Sequence, residues 1–200
     1  MLENKLGISS SVELAREEER ISKKNAITLF KNGFFDHTDA GRFSTLQEIH
    51  KCLFGEIYDF AGKIRTVNLA KGSLRFAPLM YLEISIDNIE KMPQSTFDQI
   101  IEKYVEMNIA HPFREGNGRS MRIWLNHIIE KELGKTVDWS KVDKDDYLLA
   151  MERSPVKDIE IKHLLRNAIT NDTKNLEMYM KGIDASYYYE GYTAFTASEL

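Results

Sequence analysis

Cysteine is nearly absent: Cys52 stands alone among 200 residues, so no disulfide can form within the chain and a reducing compartment is expected. Proline and glycine are sparse, four and eleven, and no repeat, low-complexity tract or linker interrupts the chain, so a single domain spanning residues 1–200 is expected. No apolar run approaches the roughly 18 residues of a membrane span. The first stretch, MLENKLGISSSVELAREEER, has no apolar h-region, so no signal peptide is expected. An excess of one charge is missing too. With 27 basic against 31 acidic residues the formal charge is -4, and no basic segment stands out, which argues against non-specific nucleic-acid binding. From these absences a cytoplasmic protein is expected, with no membrane or nucleic-acid partner.

What is present suits a packed helical domain. Hydrophobic residues make up 42% of the chain, enough for one core at this length. Ser9 to Ser11 can cap a first helix running to about Lys31, with Gly33 as its stop. Leu46, Ile49 and Leu53 recur at helical spacing, and Gly55 follows. Helical patterns return at Leu79 to Lys91 and at Thr96 to Ala110, where Phe97, Ile100, Ile101, Tyr104 and Val105 line one stripe. Another runs from near Gly118 to about Leu133, with Gly134 as a stop. Further candidates are Asp143 or Lys144 to Met151, Val156 to Ala168, Thr173 to Gly182, and finally Asp184 to Glu190. The one extended-looking stretch is Lys63 to Ala77, where Ile64, Thr66 and Val67 favour strand and Lys71-Gly72-Ser73 supplies a turn. A hairpin alone among helices is either a small structural element or a spare edge that pairs with an extended peptide. The expected fold is all-α, a helical bundle with one β-hairpin.

The chemistry concentrates in His111 to Arg122, HPFREGNGRSMR. Pro112 disfavours α geometry at His111, so the preceding helix should end there. A helix beginning after a glycine-rich turn offers unpaired N–H groups and a positive dipole end, which is an anion site. Gly116 and Gly118 let the backbone approach an anion closely, and Asn117 can cap or adopt the left-handed region. Arg119 and Arg122, one turn apart, offer forks for phosphate oxygens. Glu115 is an oxygen ligand of the kind Mg²⁺ takes together with substrate phosphates. His111 can accept a proton near neutral pH. These parts suit attack of a hydroxyl on a nucleotide phosphorus. No Gly-Lys-Ser/Thr follows the turn, so this is not a Walker A loop. Taken singly, the histidine also fits a helix cap and the arginines a solvated face.

His111-Pro112-Phe113-Arg114-Glu115-Gly116-Asn117-Gly118-Arg119-Ser120-Met121-Arg122 resembles the Fic family motif, HPFx(D/E)GNGRxxR, at every defined position. The resemblance extends over about Ser44 to Pro155. It implies the Fic fold and transfer of AMP from ATP to a Tyr, Ser or Thr hydroxyl of a target protein. It implies His111 as the base, Phe113 in the core and Glu115 on Mg²⁺ or a similar divalent cation. Gly116, Asn117 and Gly118 would form the anion hole, Arg119 would meet the phosphates and Arg122 would hold the γ-phosphate. The hairpin, about 63–77, resembles the family's flap, which docks the target as an added strand. Lys71, Gly72, Ser73 and Leu74 at its turn would lie near the nucleotide, and Asn108 would support the pocket. Gly118 disfavours the family's kinase branch, whose loop ends Asn-Lys-Arg. A transferase of another phosphate-linked group, or a non-catalytic nucleotide-binding interaction module, remains the alternative. Homo-oligomer formation is left open.

Near the C-terminus, Ser186-Tyr187-Tyr188-Tyr189-Glu190-Gly191 resembles the family's inhibitory motif, (S/T)xxxE(G/N). In the class this placement implies, a C-terminal helix over about 184–191 restrains the site, with Glu190 pairing Arg122 and so blocking productive ATP binding. The same resemblance implies a Glu190-dependent removal of AMP from modified targets. Tyr187, Tyr188 and Tyr189 on that helix are candidates for self-modification.

Overall fold

A computed structural model of the chain describes residues 2–71 and 74–200. Ser10 caps the first helix through its side chain, and α1 runs over Ser11–Lys31 until Gly33 takes a left-handed φ of 66°. Helix α2 covers Phe43–Phe54 and α3 covers Leu79–Glu90. Thr96 and Gln99 form a capping box at the start of α4, Phe97–Ala110. Helix α5, Asn117–Leu133, ends at Gly134 with φ 63°. Helices α6, Lys144–Arg153, and α7, Ile159–Asn167, follow, and α8 spans Leu176–Tyr189.

Helix α5 lies at the centre, packed by α2, α4 and α8. Met121, Trp124, Leu125, Ile128 and Ile129 are fully buried along it, and so are Arg119 and Arg122. A helix enclosed on all sides carries polar residues only where partners satisfy them. Those two arginines therefore mark where α5 leaves the apolar core and reaches the site.

The hairpin is much shorter than expected. Strand β1 is Ala70–Lys71 and pairs antiparallel with β2, Leu74–Arg75; Gly72 and Ser73, assigned to the turn, lie outside the described residues. The base of the flap is held by one side chain instead of a ladder. Arg65 is buried and donates to the carbonyls of His111 (2.8 Å), Val67 (2.6 Å) and Ala77 (2.5 Å). A guanidinium with five donors ties three segments that strand pairing would have joined only two at a time. A second pairing, β3 (Thr136–Val137) with β4 (Ile169–Thr170), has no counterpart in the sequence reading.

The C-terminal elements also differ. Thr173 to Gly182 and Asp184 to Glu190 are not two helices but parts of α8. Gly182 lies within it, facing Trp139, because tertiary packing outweighs the roughly 1 kcal/mol of glycine's poor helix propensity. The expected stretch about 184–191 is thus the end of a longer helix. Gly191, with φ 89°, lies just past Glu190, the residue that caps it.

Candidate active site

Helix α4 stops at His111, which adopts φ 49° and ψ 62° and donates its backbone N–H to Met107 O. It is the one non-glycine residue with positive φ among the described residues. That region is uncommon for non-glycine residues, and it is held here by Arg65, whose Nε donates to His111 O and whose backbone N–H donates to Pro112 O, each at 2.8 Å. The imidazole stacks on Phe76 of the flap, ring centroids 3.6 Å apart. Its Nδ1 lies 3.2 Å from Asn108 O. A carbonyl only accepts, so Nδ1 carries the hydrogen and Nε2 is the nitrogen able to take a proton.

The following loop is closed from inside. Phe113 is fully buried and stacks on His50 at 3.9 Å. Asn117 accepts from Phe113 N at 2.9 Å and donates to Phe113 O at 2.8 Å, so its side chain staples the loop onto the start of α5. His50 reaches in from α2. Gly62 N–H donates to its Nδ1 at 2.9 Å, so Nε2–H donates to Glu115 O at 2.8 Å. Burial pushes the His50 imidazole down to about 4, with Arg119 adding to the fall and Glu115 O opposing it. Gly116 has φ 76°, and a Cβ there would stand 2.4 Å from the Phe54 ring. The loop therefore presents the first N–H groups of α5, which lack intrahelical acceptors, to a cleft of about 560 Å³.

His111, Asn108, Glu115, Gly116 to Arg119, Arg122 and Glu190 all line that cleft. Leu69, Ala70 and Phe76 close it from the flap side, and Tyr147, Leu148, Met151 and Glu152 of α6 form its far wall. The structure thus gathers residues that are widely separated in the chain. Among the described residues no group of three or more His, Cys, Asp or Glu could hold a metal. Glu115 brings the loop's single carboxylate to the cleft, 47% exposed. Such a donor fits a Mg²⁺ that keeps waters and binds substrate phosphates, and does not fit a structural zinc site.

Arg122 is completely engaged by α8 and α6. Its Nε donates to Ser186 Oγ (2.7 Å), and its Nη2 donates to Ser186 O (2.8 Å) and Glu190 Oε1 (2.9 Å). Its guanidinium lies beside the rings of Tyr147 and Tyr189. Burial opposes the charge, but Tyr147 and Glu190 outweigh it and hold the pKa above the usual arginine value. The Glu190 carboxylate lies over the start of α5: a Cβ on Gly118 would stand 2.4 Å from its Oε1. Of the three tyrosines beside it, Tyr187 and Tyr189 are buried and Tyr188 is 51% exposed, with Lys144 over its ring.

Arg119 occupies a different setting. Its side chain is 1% exposed; Nη1 donates to Glu18 at 2.6 Å and Nη2 to Glu115 at 3.2 Å. Burial alone would raise the Glu18 carboxyl, yet Arg119 and hydrogen bonds from Tyr192 and Tyr58 hold it below the usual range. Glu18, His50, Arg65, Tyr147 and Tyr192 were not singled out in the sequence. No local pattern marks them, since each reaches the site only through tertiary contact.

Residues 42–129 match the model of the Fic/DOC family. Over 188 residues the chain is 30% identical to protein adenylyltransferase VbhT of Bartonella schoenbuchensis, covering 86% of this chain and 38% of that one. It is 23% identical over 143 residues to a probable protein adenylyltransferase Fic of Escherichia coli, covering 66% and 71%. The chain thus spans about two fifths of the first relative's length. Among solved structures, the BepC protein of Bartonella tribocorum with bound AMPPNP superposes with a TM-score of 0.69 at 20% identity, covering 85% of this chain and 92% of that one.

Proposed function

We propose, from the premise that this chain carries a Fic domain, that it is a protein adenylyltransferase held in check by its own C-terminal helix. The observation that carries the reading is the convergence on one cleft of a proton-accepting imidazole, a glycine-lined helix start and an arginine occupied by Glu190. ATP would lie with its phosphates at the N-terminal end of α5, where backbone N–H groups and the helix dipole favour anions. Glu115 would hold a divalent cation, which when bound neutralises phosphate charge. His111 Nε2 takes the proton of the target hydroxyl as its oxygen bonds to the α-phosphorus. The bond from that phosphorus to the β-phosphate bridge breaks, and pyrophosphate leaves with the electron pair. The target would lie as an extended segment along the flap edge at Leu69 to Lys71. Slower amide exchange there on adding target supports this, and unchanged exchange refutes it.

While Glu190 and Ser186 occupy Arg122, that arginine does not meet the γ-phosphate, and ATP lacks the contact that aligns its α-phosphorus. A hundredfold suppression needs only about 2.7 kcal/mol. Transfer of label from α-labelled but not γ-labelled ATP, abolished by His111→Ala, tests the reaction. Label from the γ position indicates a kinase instead, and no ATP binding in the Glu190→Gly protein refutes the site.

Two further properties follow from the same site. Glu190 can orient a water toward the phosphorus of an AMP-modified side chain; the water oxygen bonds to that phosphorus, the bond from phosphorus to the target oxygen breaks, His111 gives that oxygen its proton and AMP leaves, so the protein would also remove AMP. Equal removal by wild type and Glu190→Gly would exclude this. Self-modification would begin at Tyr188, the exposed member of the three, before Tyr187 or Tyr189. Peptide mass spectrometry showing the first adduct on a buried tyrosine would exclude that order.

A further inference from the structure

Helix α1 lies outside the matched family segment, yet it sends a carboxylate into the site. Glu18 is buried mid-helix and accepts from Arg119 Nη1 at 2.6 Å, from Tyr192 Oη at 2.6 Å and from Tyr58 Oη. Arg119 is packed on its faces by the rings of Phe54, Tyr192 and Tyr187, with centroids 4.8, 4.7 and 5.4 Å from its central carbon. Its other terminal nitrogen, Nη2, meets Glu115 Oε1 at 3.2 Å, and Gly116 N–H donates to the same oxygen at 2.9 Å. Both contacts therefore fall on one oxygen of Glu115, Oε1, and Oε2 is the oxygen that would face a cation.

This geometry differs from that of Arg122. The partner of Arg122 is Glu190, at the end of a helix and 24% exposed, where the chain can move away. The partner of Arg119 is in the middle of a 21-residue helix and 4% exposed. For Arg119 to swing to a phosphate it would have to leave Glu18 a buried carboxylate with no cation beside it and only two tyrosine hydroxyls as donors, which is unfavourable.

We propose that Arg119 is not a phosphate ligand but a positioning residue that fixes the Glu115 carboxylate, and that Glu18, steadied by Tyr192 and Tyr58, is the residue that fixes Arg119. The inference rests on reading the cleft as an ATP–cation site. It makes Glu18 and Tyr192 determinants of cation affinity from outside the motif, one from the first helix and one from the segment following α8.

The test measures ATP binding by calorimetry in EDTA and in excess magnesium, on Glu190→Gly protein and on the same protein carrying Glu18→Gln, Arg119→Lys or Tyr192→Phe. Removing an outer-shell partner of a metal ligand typically lowers metal affinity about 10- to 100-fold. The magnesium-dependent gain in ATP affinity should therefore shrink by about tenfold in Glu18→Gln and Arg119→Lys, and less in Tyr192→Phe. Affinity in EDTA should stay within about twofold, because no phosphate contact is lost; a purely structural role would not separate the two conditions. Equal weakening in EDTA and magnesium would show that Arg119 touches phosphate and overturn the inference. Unchanged binding in both would show a fold contact only and overturn it too. If Glu18→Gln fails to fold, the milder Tyr192→Phe decides by the same criteria. No ATP binding by the Glu190→Gly parent would instead overturn the site reading itself, and this inference with it.

Discussion

Glu190→Gly probes the site most directly. In the structure Glu190 Oε1 lies 2.9 Å from Arg122 Nη2, with the arginine 2% and the glutamate 24% exposed. Removing the carboxylate deletes a charge-assisted hydrogen bond, about 1.5–3 kcal/mol. Because Glu190 is partly solvated, the lower half of that range applies. At about 1.4 kcal/mol per factor of ten, AMP transfer should rise about 10- to 40-fold. The Ser186 contacts to Arg122 persist in this variant; Ser186→Ala added to it removes the Oγ contact and leaves the carbonyl one, and should give a further gain of about fivefold. Stability should move the other way. Arg122 stays buried with one partner fewer, and a loss of about 1–2 kcal/mol lowers the Tm by roughly 2–8 °C for a chain of this size. Magnesium–ATP should recover more of that loss in the variant than it adds to the wild type, since a ligand stabilises only the state it binds. The assays are label transfer from α-labelled ATP and thermal melting with and without nucleotide. Glu190→Gln separates charge from bulk: retained inhibition assigns the effect to the carboxylate's volume over Gly118, and lost inhibition to its charge. A Glu190→Gly protein that transfers label no faster and binds ATP no more tightly would refute the reasoning.

Other outcomes follow from the same geometry. His111→Ala should lower transfer at least about 100-fold with ATP affinity unchanged, and retained transfer would remove it as the base. His50, near 6.5 in an unfolded chain, is held at about 4 when folded, so the unfolded state binds more protons between those values. Stability is therefore complete above about 6.5 and is lost as pH falls toward about 4, at about 1.4 kcal/mol per pH unit within the window. Melting of His50→Gln across that range should show a flatter slope, and equal slopes would refute the assignment. Gly116→Ala carries about 1–2 kcal/mol of left-handed strain and must displace the Phe54 ring, so it should both melt lower and lose ATP binding. An unchanged melting temperature would show that the loop relaxes freely.

Much of the fold was legible where a local rule acts alone. The capping of α1 by Ser10, the stripe of α4, the end forced at His111 by Pro112 and the stop of α5 at Gly134 each depend on a few neighbouring residues. The hairpin was overextended because Ile64, Thr66 and Val67 favour strand, while Arg65 satisfies the carbonyls that a ladder would have used. The split of α8 at Gly182 failed for a related reason, since packing along the helix outweighed a local breaker. In the site, the motif residues were readable because they are contiguous. Their supports were not, since Glu18 lies 101 residues from Arg119 and His50 lies 65 from Glu115.

The order of residues by itself determined that a proton acceptor, a carboxylate, a glycine-lined helix start and two arginines lie within a short stretch, because helix ends and turns obey near-neighbour sterics and hydrogen bonding. Only the tertiary structure decided how the two arginines differ. Arg119 is fixed by a buried carboxylate from α1, and Arg122 is held by the end of α8, where the chain can release it. The reason is physical: a buried guanidinium takes its role from whichever oxygens folding brings to it, and those oxygens come from opposite ends of the chain.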